Sequence, residues 1–176
     1  MSEIVVLRLS ERGYRDLRIT THCALVARAF GAKKIFLNGN QDNEIGKTVQ
    51  RINDTFGGDF EVEYYTQPGA VIKKMRKEGY CMVHLTMYGE KPGEIAKQVR
   101  KKKKIAIVVG ADKVPSSVYE EADYNVSITR QPHSEVAALG VFLHYLNEGK
   151  EEEMEFAHAK KKIIPTAKGK KVNEQK

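Results

Sequence analysis

No run of apolar residues in this sequence approaches the roughly 20 needed to cross a bilayer, so no membrane span is expected. The N-terminus lacks a basic segment followed by an apolar core, and no secretory signal is expected there. Cysteine is scarce. Cys23 and Cys81 stand far apart and form no metal-type pair, and Cys81 falls in an apolar run as an inert core thiol. No G-x-G-x-x-G follows the first apolar run and no G-x-x-x-x-G-K-[ST] occurs, which removes the ordinary dinucleotide and P-loop readings. His22, His84, His133, His144 and His158 form no H-x-x-x-H pair beside an acid, so no structural zinc or other metal site is expected. His133 and Ser134 are sequence neighbours, and adjacent residues on a helix point in different directions, which weakens a serine-hydrolase reading. These absences leave a soluble, cytoplasmic protein.

What is present is enough for a core. The chain has 176 residues, which fits one domain; 41% are apolar and 30% charged. The net charge of +7 favours a polyanionic partner such as nucleic acid, with plain solubility as the alternative explanation. Lys101 to Lys104 form one basic block, and Lys160 to Lys162, Lys168, Lys170 and Lys171 make the C-terminal stretch basic, after an acidic run from Glu151 to Glu153. Residues 1–150 therefore read as the domain, and 151–176 as a basic extension with a small hairpin around Thr166–Gly169 and a disordered end.

Strand-like and helix-like patterns alternate along the first part. Ile4–Leu9, Lys34–Leu37, Phe60–Tyr65, Tyr80–Leu85, Ile105–Val109 and Tyr124–Ile128 read as strands. The alternation in Phe60–Tyr65 suggests a place near a sheet edge. Thr20-Thr21-His22 is expected to cap a helix that runs to Phe30 and stops at Gly31. Further helices are expected over 44–55 and 70–77, from Pro92 into the lysine block, and from Pro132 through Leu146. The fold class is α/β, a mostly parallel sheet with helices on both faces.

Gln131 to Leu139 is the densest stretch, a polar turn between a buried strand and a buried helix. Pro132 suits a first helical position, and Ser134 and Glu135 place a hydroxyl and an acid at the positive end of the helix. The loops Leu85–Gly89, Gly110–Val114 and Ile128–Glu135 each follow the carboxyl end of a buried strand. Such loops converge on one crevice if their strands are neighbours. Gly110 lets backbone amides approach a ligand closely. An adenosine-type molecule fits such a pocket, held by main-chain hydrogen bonds and apolar walls.

Thr20-Thr21-His22, His84–Gly89, Val109–Pro115, Ala122–Asn125 and Gln131–Leu139 together resemble the archaeal tRNA ribose 2'-O-methyltransferases that act on cytidine 56 of the T-loop, within the SPOUT superfamily. The resemblance spans roughly the first 150 residues and continues weakly into the basic tail. It implies a deep trefoil knot in the C-terminal half, a homodimer, tRNA as substrate and S-adenosylmethionine as cofactor. It also implies a cofactor pocket built from Leu85, from Gly110, Ala111, Asp112, Lys113 and Val114, and from Ile128, Thr129, Arg130, Gln131, Pro132, His133, Ser134 and Glu135.

A ribose hydroxyl is a poor nucleophile and must attack the sulfonium methyl in line, so positioning supplies much of the rate. A cation can hold the neighbouring phosphate or favour the developing alkoxide. The resemblance places the arginine-rich segment near this chemistry, with Arg18 as the catalytic cation and Arg8 and Arg15 contacting RNA. The sequence departs from the wider ribose-methylating pattern at two points. Leu25 stands where an arginine is common, with Arg28 nearby expected at the surface, and Asp112 stands where glutamate is expected. Two other readings use the same fold: a non-catalytic RNA-binding protein, and a base N-methyltransferase.

Overall fold

The buried runs pair into one sheet. The computed structural model describes residues 2–9, 17–39, 43–110 and 114–174. Strands β1 (Glu3–Leu9), β2 (Lys34–Asn38), β3 (Glu61–Tyr65), β4 (Cys81–Thr86), β5 (Lys104–Gly110) and β6 (Tyr124–Ser127) lie in the order β3-β2-β1-β5-β4-β6. All the pairings are parallel. Helices α1 (Leu17–Ala29), α2 (Asn43–Phe56), α3 (Pro68–Lys77), α4 (Pro92–Val99), α5 (Ser116–Glu121) and α6 (Glu135–Asn147) connect and cover the strands. None of the described helices is long and apolar enough to cross a membrane.

Position in the sheet follows the sequence pattern. β4 is buried along its whole length and β5 through its middle, as continuous apolar runs demand between two helical layers. The alternating β3 takes one edge. Val6, Val83 and Ile107 face α1, α2, α4 and α6, while Val5, Met82 and Val108 face Ile72 and Met75 of α3 and Val118 of α5. Each such side chain, fully buried, contributes about 1.5–3 kcal/mol.

Two helix starts differ from the sequence expectation. The described part of α1 already includes Leu17, so Thr20-Thr21-His22 lies inside it, and the Thr21 hydroxyl donates to the Leu17 carbonyl at 2.8 Å instead of capping. Gly31 ends that helix, with a φ of 82° that an L side chain avoids. α6 begins at Glu135, and Pro132 stays outside it. The backbone is extended at Ser134, whose hydroxyl accepts from the Val136 amide at 3.3 Å.

Beyond α6, a 3₁₀ turn at Lys150–Glu153 leads to an antiparallel hairpin of β7 (Lys161–Ile164) and β8 (Lys171–Glu174). The stretch before the hairpin folds back onto the domain. The Gly58 amide donates to the Ala157 carbonyl at 2.8 Å, and the Phe156 ring lies over the Arg28 guanidinium at 4.8 Å. Arg28 is therefore not the surface residue its sequence context suggested. It is covered by that ring and bonded to Asn53 and to the Gly57 carbonyl.

Candidate functional site

The chain leaves β4 for α4 on one face of the sheet and leaves β5 for α5 on the other. Connections that diverge in this way open a crevice beyond the carboxyl ends of the two strands. A cavity of about 320 Å³ lies there. β4 and its loop contribute His84, Leu85, Thr86, Met87 and Tyr88, while β5 and its loop contribute Val109, Gly110 and Val114. Tyr119 of α5 closes one side, and Pro132, His133, Glu135 and Ala138 close another. At Gly110, an added Cβ would collide with the Val114 side chain, so this turn admits only glycine without rearrangement.

The structure thus brings Leu85, Gly110, Val114, Pro132, His133 and Glu135 together around one space. Ile128 lines a different cavity, with Pro92 and Tyr145. Thr129, Arg130, Gln131 and Ser134 do not line the 320 Å³ cavity. Thr129 and Gln131 shape the loop instead: the Thr129 hydroxyl donates to the Gln131 carbonyl and accepts from the Gln131 amide, both at 3.1 Å. Ser134 is occupied as the α6 cap. Ala111, Asp112, Lys113 and Arg15 lie outside the described residues.

The arginines separate. Arg18 is exposed in the first turn of α1. Arg8, expected against RNA, is 1% exposed and points inward. β1 is covered on both faces, so this position has no solvent side. Its Nη2 donates to Glu135 Oε1 at 2.8 Å, and its carbonyl accepts from the Tyr65 hydroxyl at 2.9 Å. Arg8 is therefore a support for Glu135 rather than a surface contact. The exposed Lys101, Lys102 and Lys103 precede β5, at the end of the sheet opposite the cavity.

One lining group was not anticipated. His84, 1% exposed, directs Nδ1 at Asn125 Oδ1, 2.9 Å away on the adjoining β6, and meets the Tyr119 ring edge-on at 4.6 Å. Asn125 Nδ2 donates to the Tyr119 carbonyl at 2.9 Å, and the Tyr119 hydroxyl lies 3.2 Å from Thr86 Oγ1. Burial pushes the imidazole below its ordinary pKa, against the raising effect of Asn125, so the ring is neutral at pH 7. The available sequence signal was a histidine embedded in an apolar strand; its partners become visible only through the β4–β6 register. Among the described residues no cluster of His, Cys, Asp or Glu is placed to hold a metal ion.

Comparisons with known proteins converge. A family model described as tRNA ribose 2'-O-methyltransferase, aTrm56, matches residues 56–173. A Methanobrevibacter smithii protein named tRNA (cytidine(56)-2'-O)-methyltransferase is 50% identical over 174 residues, covering 98% of this chain and 97% of its own. The Nitrosopumilus maritimus protein of the same name is 48% identical over 169 residues, covering 96% and 95%. Among solved structures, the A. aeolicus TrmH/SpoU tRNA modifying enzyme superposes with a TM-score of 0.64 at 14% identity, covering 87% of this chain and 78% of that one. The SpoU methyltransferase AviRb from Streptomyces viridochromogenes, in complex with AdoMet, has a TM-score of 0.60 at 15% identity, covering 85% and 58%. These structural likenesses establish a shared fold.

Proposed function

The chain belongs to the aTrm56 family of tRNA ribose 2'-O-methyltransferases, and from that premise we propose that it methylates the ribose 2'-hydroxyl of cytidine 56 in the tRNA T-loop, using S-adenosylmethionine. The observation that carries this reading is the convergence of the β4 end, the β5 end and the α6 approach on one cavity of about 320 Å³. Its size and mixed polar and apolar lining suit a nucleoside-type ligand. Leu85, Gly110, Val114, Pro132, His133 and Glu135 would hold the cofactor, with Ala111–Lys113, Ile128–Gln131 and Ser134 completing the loops. Bound there, S-adenosylmethionine supplies an electrophilic methyl group.

The remaining work falls to the protein. Enclosing walls exclude water and fix the line of attack. Arg18, exposed at the start of α1, supplies the cation that steadies the neighbouring phosphate and the developing alkoxide, and Arg15 contacts the RNA. The same reading includes a methyltransferase domain over 1–150 with a trefoil knot in its C-terminal half, a basic extension over 151–176, a homodimer and a cytoplasmic location. Ile19 of α1 with Val141 and Tyr145 of α6 supports the dimer, as large apolar side chains left exposed on helices that pack together.

The test is transfer of labelled methyl groups to archaeal-type tRNA transcripts. Transcripts carrying 2'-deoxycytidine at position 56 are expected to accept none, whereas continued labelling would assign the chemistry to a base. Arg18→Ala is expected to lose at least about 100-fold in turnover, the scale of one transition-state cation or donor, while binding cofactor normally. Unchanged turnover removes Arg18 from the mechanism. Absence of any heat on titration with S-adenosylmethionine would turn the reading to a non-catalytic RNA-binding protein.

A further inference from the structure

Two buried acceptors on the cavity-lining residues, Nε2 of His84 and Oε2 of Glu135, have no hydrogen-bond partner among the described residues. Native structures rarely leave such atoms unmatched, so each marks a place where a ligand or water completes the bonding. The state of His84 follows from its neighbours. Asn125 Nδ2 donates to the Tyr119 carbonyl, which sets the orientation of the amide, and its Oδ1, having no hydrogen to give, must accept from His84 Nδ1–H. The neutral ring then carries its lone pair on Nε2. Glu135 is fixed in a parallel way, because Arg8 holds Oε1 and leaves Oε2 over.

We propose that His84 is a positioning residue for the cofactor, its Nε2 accepting a hydrogen bond from an N–H or O–H of the bound molecule while Glu135 Oε2 accepts a second. The inference rests on the function proposed above and deepens it: the cavity selects a donor-rich nucleoside derivative. S-adenosylmethionine has such donors in its amino groups and ribose hydroxyls. The Asn125–His84 bond between two strands sets the ring, so the register of β6 on β4 fixes the direction of the acceptor.

Two substitutions separate this role from a structural one. His84→Asn keeps a donor near the Nδ1 position and removes the inner acceptor; His84→Gln keeps an acceptor near the Nε2 position and abandons Asn125. Titration calorimetry with S-adenosylmethionine is expected to show about tenfold weaker binding for His84→Asn, the worth of one hydrogen bond, and near wild-type binding for His84→Gln. The reverse order would make His84 a strand tie and overturn the assignment. In wild-type protein with ¹⁵N-labelled histidine, the Nε2 resonance is expected to move upfield as ligand is added; a resonance that stays put overturns it without any variant. Wild-type protein that binds no S-adenosylmethionine refutes the cofactor reading itself, an outcome distinct from tight binding that ignores His84.

Discussion

Arg8 and Arg28 are both buried, at 1% and 6% exposure, yet their surroundings differ in kind. Arg28 is met by neutral partners: Asn53 Oδ1 at 2.8 Å from Nε, the Gly57 carbonyl at Nη2, and the Phe156 ring above. Asn53 passes the network on to the Phe60 carbonyl at 2.9 Å, and no buried side-chain atom of Arg28 or Asn53 is left without a partner. Burial lowers the Arg28 pKa, but a guanidinium stays charged at neutral pH. Arg8 instead meets a carboxylate of which one oxygen is used and the other is left at the cavity. A closed polar network fixes structure. One left open on a cavity prepares a surface for a ligand.

Substitution should split the two regions. The largest effect is expected from Arg28→Met, which strands the Asn53 and Gly57 carbonyl oxygens and should cost about 3 kcal/mol, as loss of hydrogen bonds to a charged group does. Urea unfolding reads this as a lower midpoint, with cofactor affinity unchanged at temperatures where the variant is folded. A loss below about 1 kcal/mol would mean that the tail and α2 close without Arg28. Arg8→Met is expected to weaken cofactor binding about tenfold and to lower stability by about 2 kcal/mol, because Glu135 is left buried without its counter-charge. Adding Glu135→Gln should restore stability but not affinity. Recovery of both by the double variant would show that Glu135 serves only Arg8.

The smallest effect is a pH dependence confined to the open side. The folded-state pKa of His84 lies below the unfolded value near 6.5 because burial disfavours the charged ring. Folding therefore expels a proton. The stability linked to His84 is complete above about pH 6.5 and falls as pH drops through the folded pKa. Melting temperatures of the ligand-free protein at pH 7.5 and 5.5 should diverge more for wild type than for His84→Gln. An equal divergence would place the acid sensitivity elsewhere.

The architecture was legible because the apolar runs are long and the stops are local. Gly31 ends α1 where the sequence places the break, and the alternation of Glu61–Tyr65 marks a strand that does lie at an edge. Side-chain roles were harder to read. Thr20-Thr21-His22 looks like a cap, but a threonine hydroxyl serves equally well bonded back to a carbonyl one turn earlier, as Thr21 is to Leu17. Both arginines looked solvent-facing because nothing in a linear sequence shows Glu135 approaching Arg8 or Phe156 covering Arg28. His84 depends on Asn125 and Tyr119, which reach it only when β6 pairs with β4. The candidate cavity could be outlined from the loops that follow strands. The unmatched acceptors on its lining required three dimensions.

The pairing of β1 with β5 also constrains how the chain reaches this state. Val5 lies beside Ala106 and Val6 beside Ile107, so the centre of the sheet joins the first strand to the fifth. A ribosome adding about 5–20 residues per second exposes β1, β2 and β3 for several seconds before β5 exists. During that interval β1 has one edge of backbone N–H and C=O groups unpaired, and β4 has neither of its eventual neighbours. The sheet cannot close outward from a finished half; it waits for Lys104–Gly110 to enter between strands already made. Folding of this chain is thus timed by the emergence of its fifth strand, and slow translation just before that strand would lengthen the period in which nascent chains can aggregate.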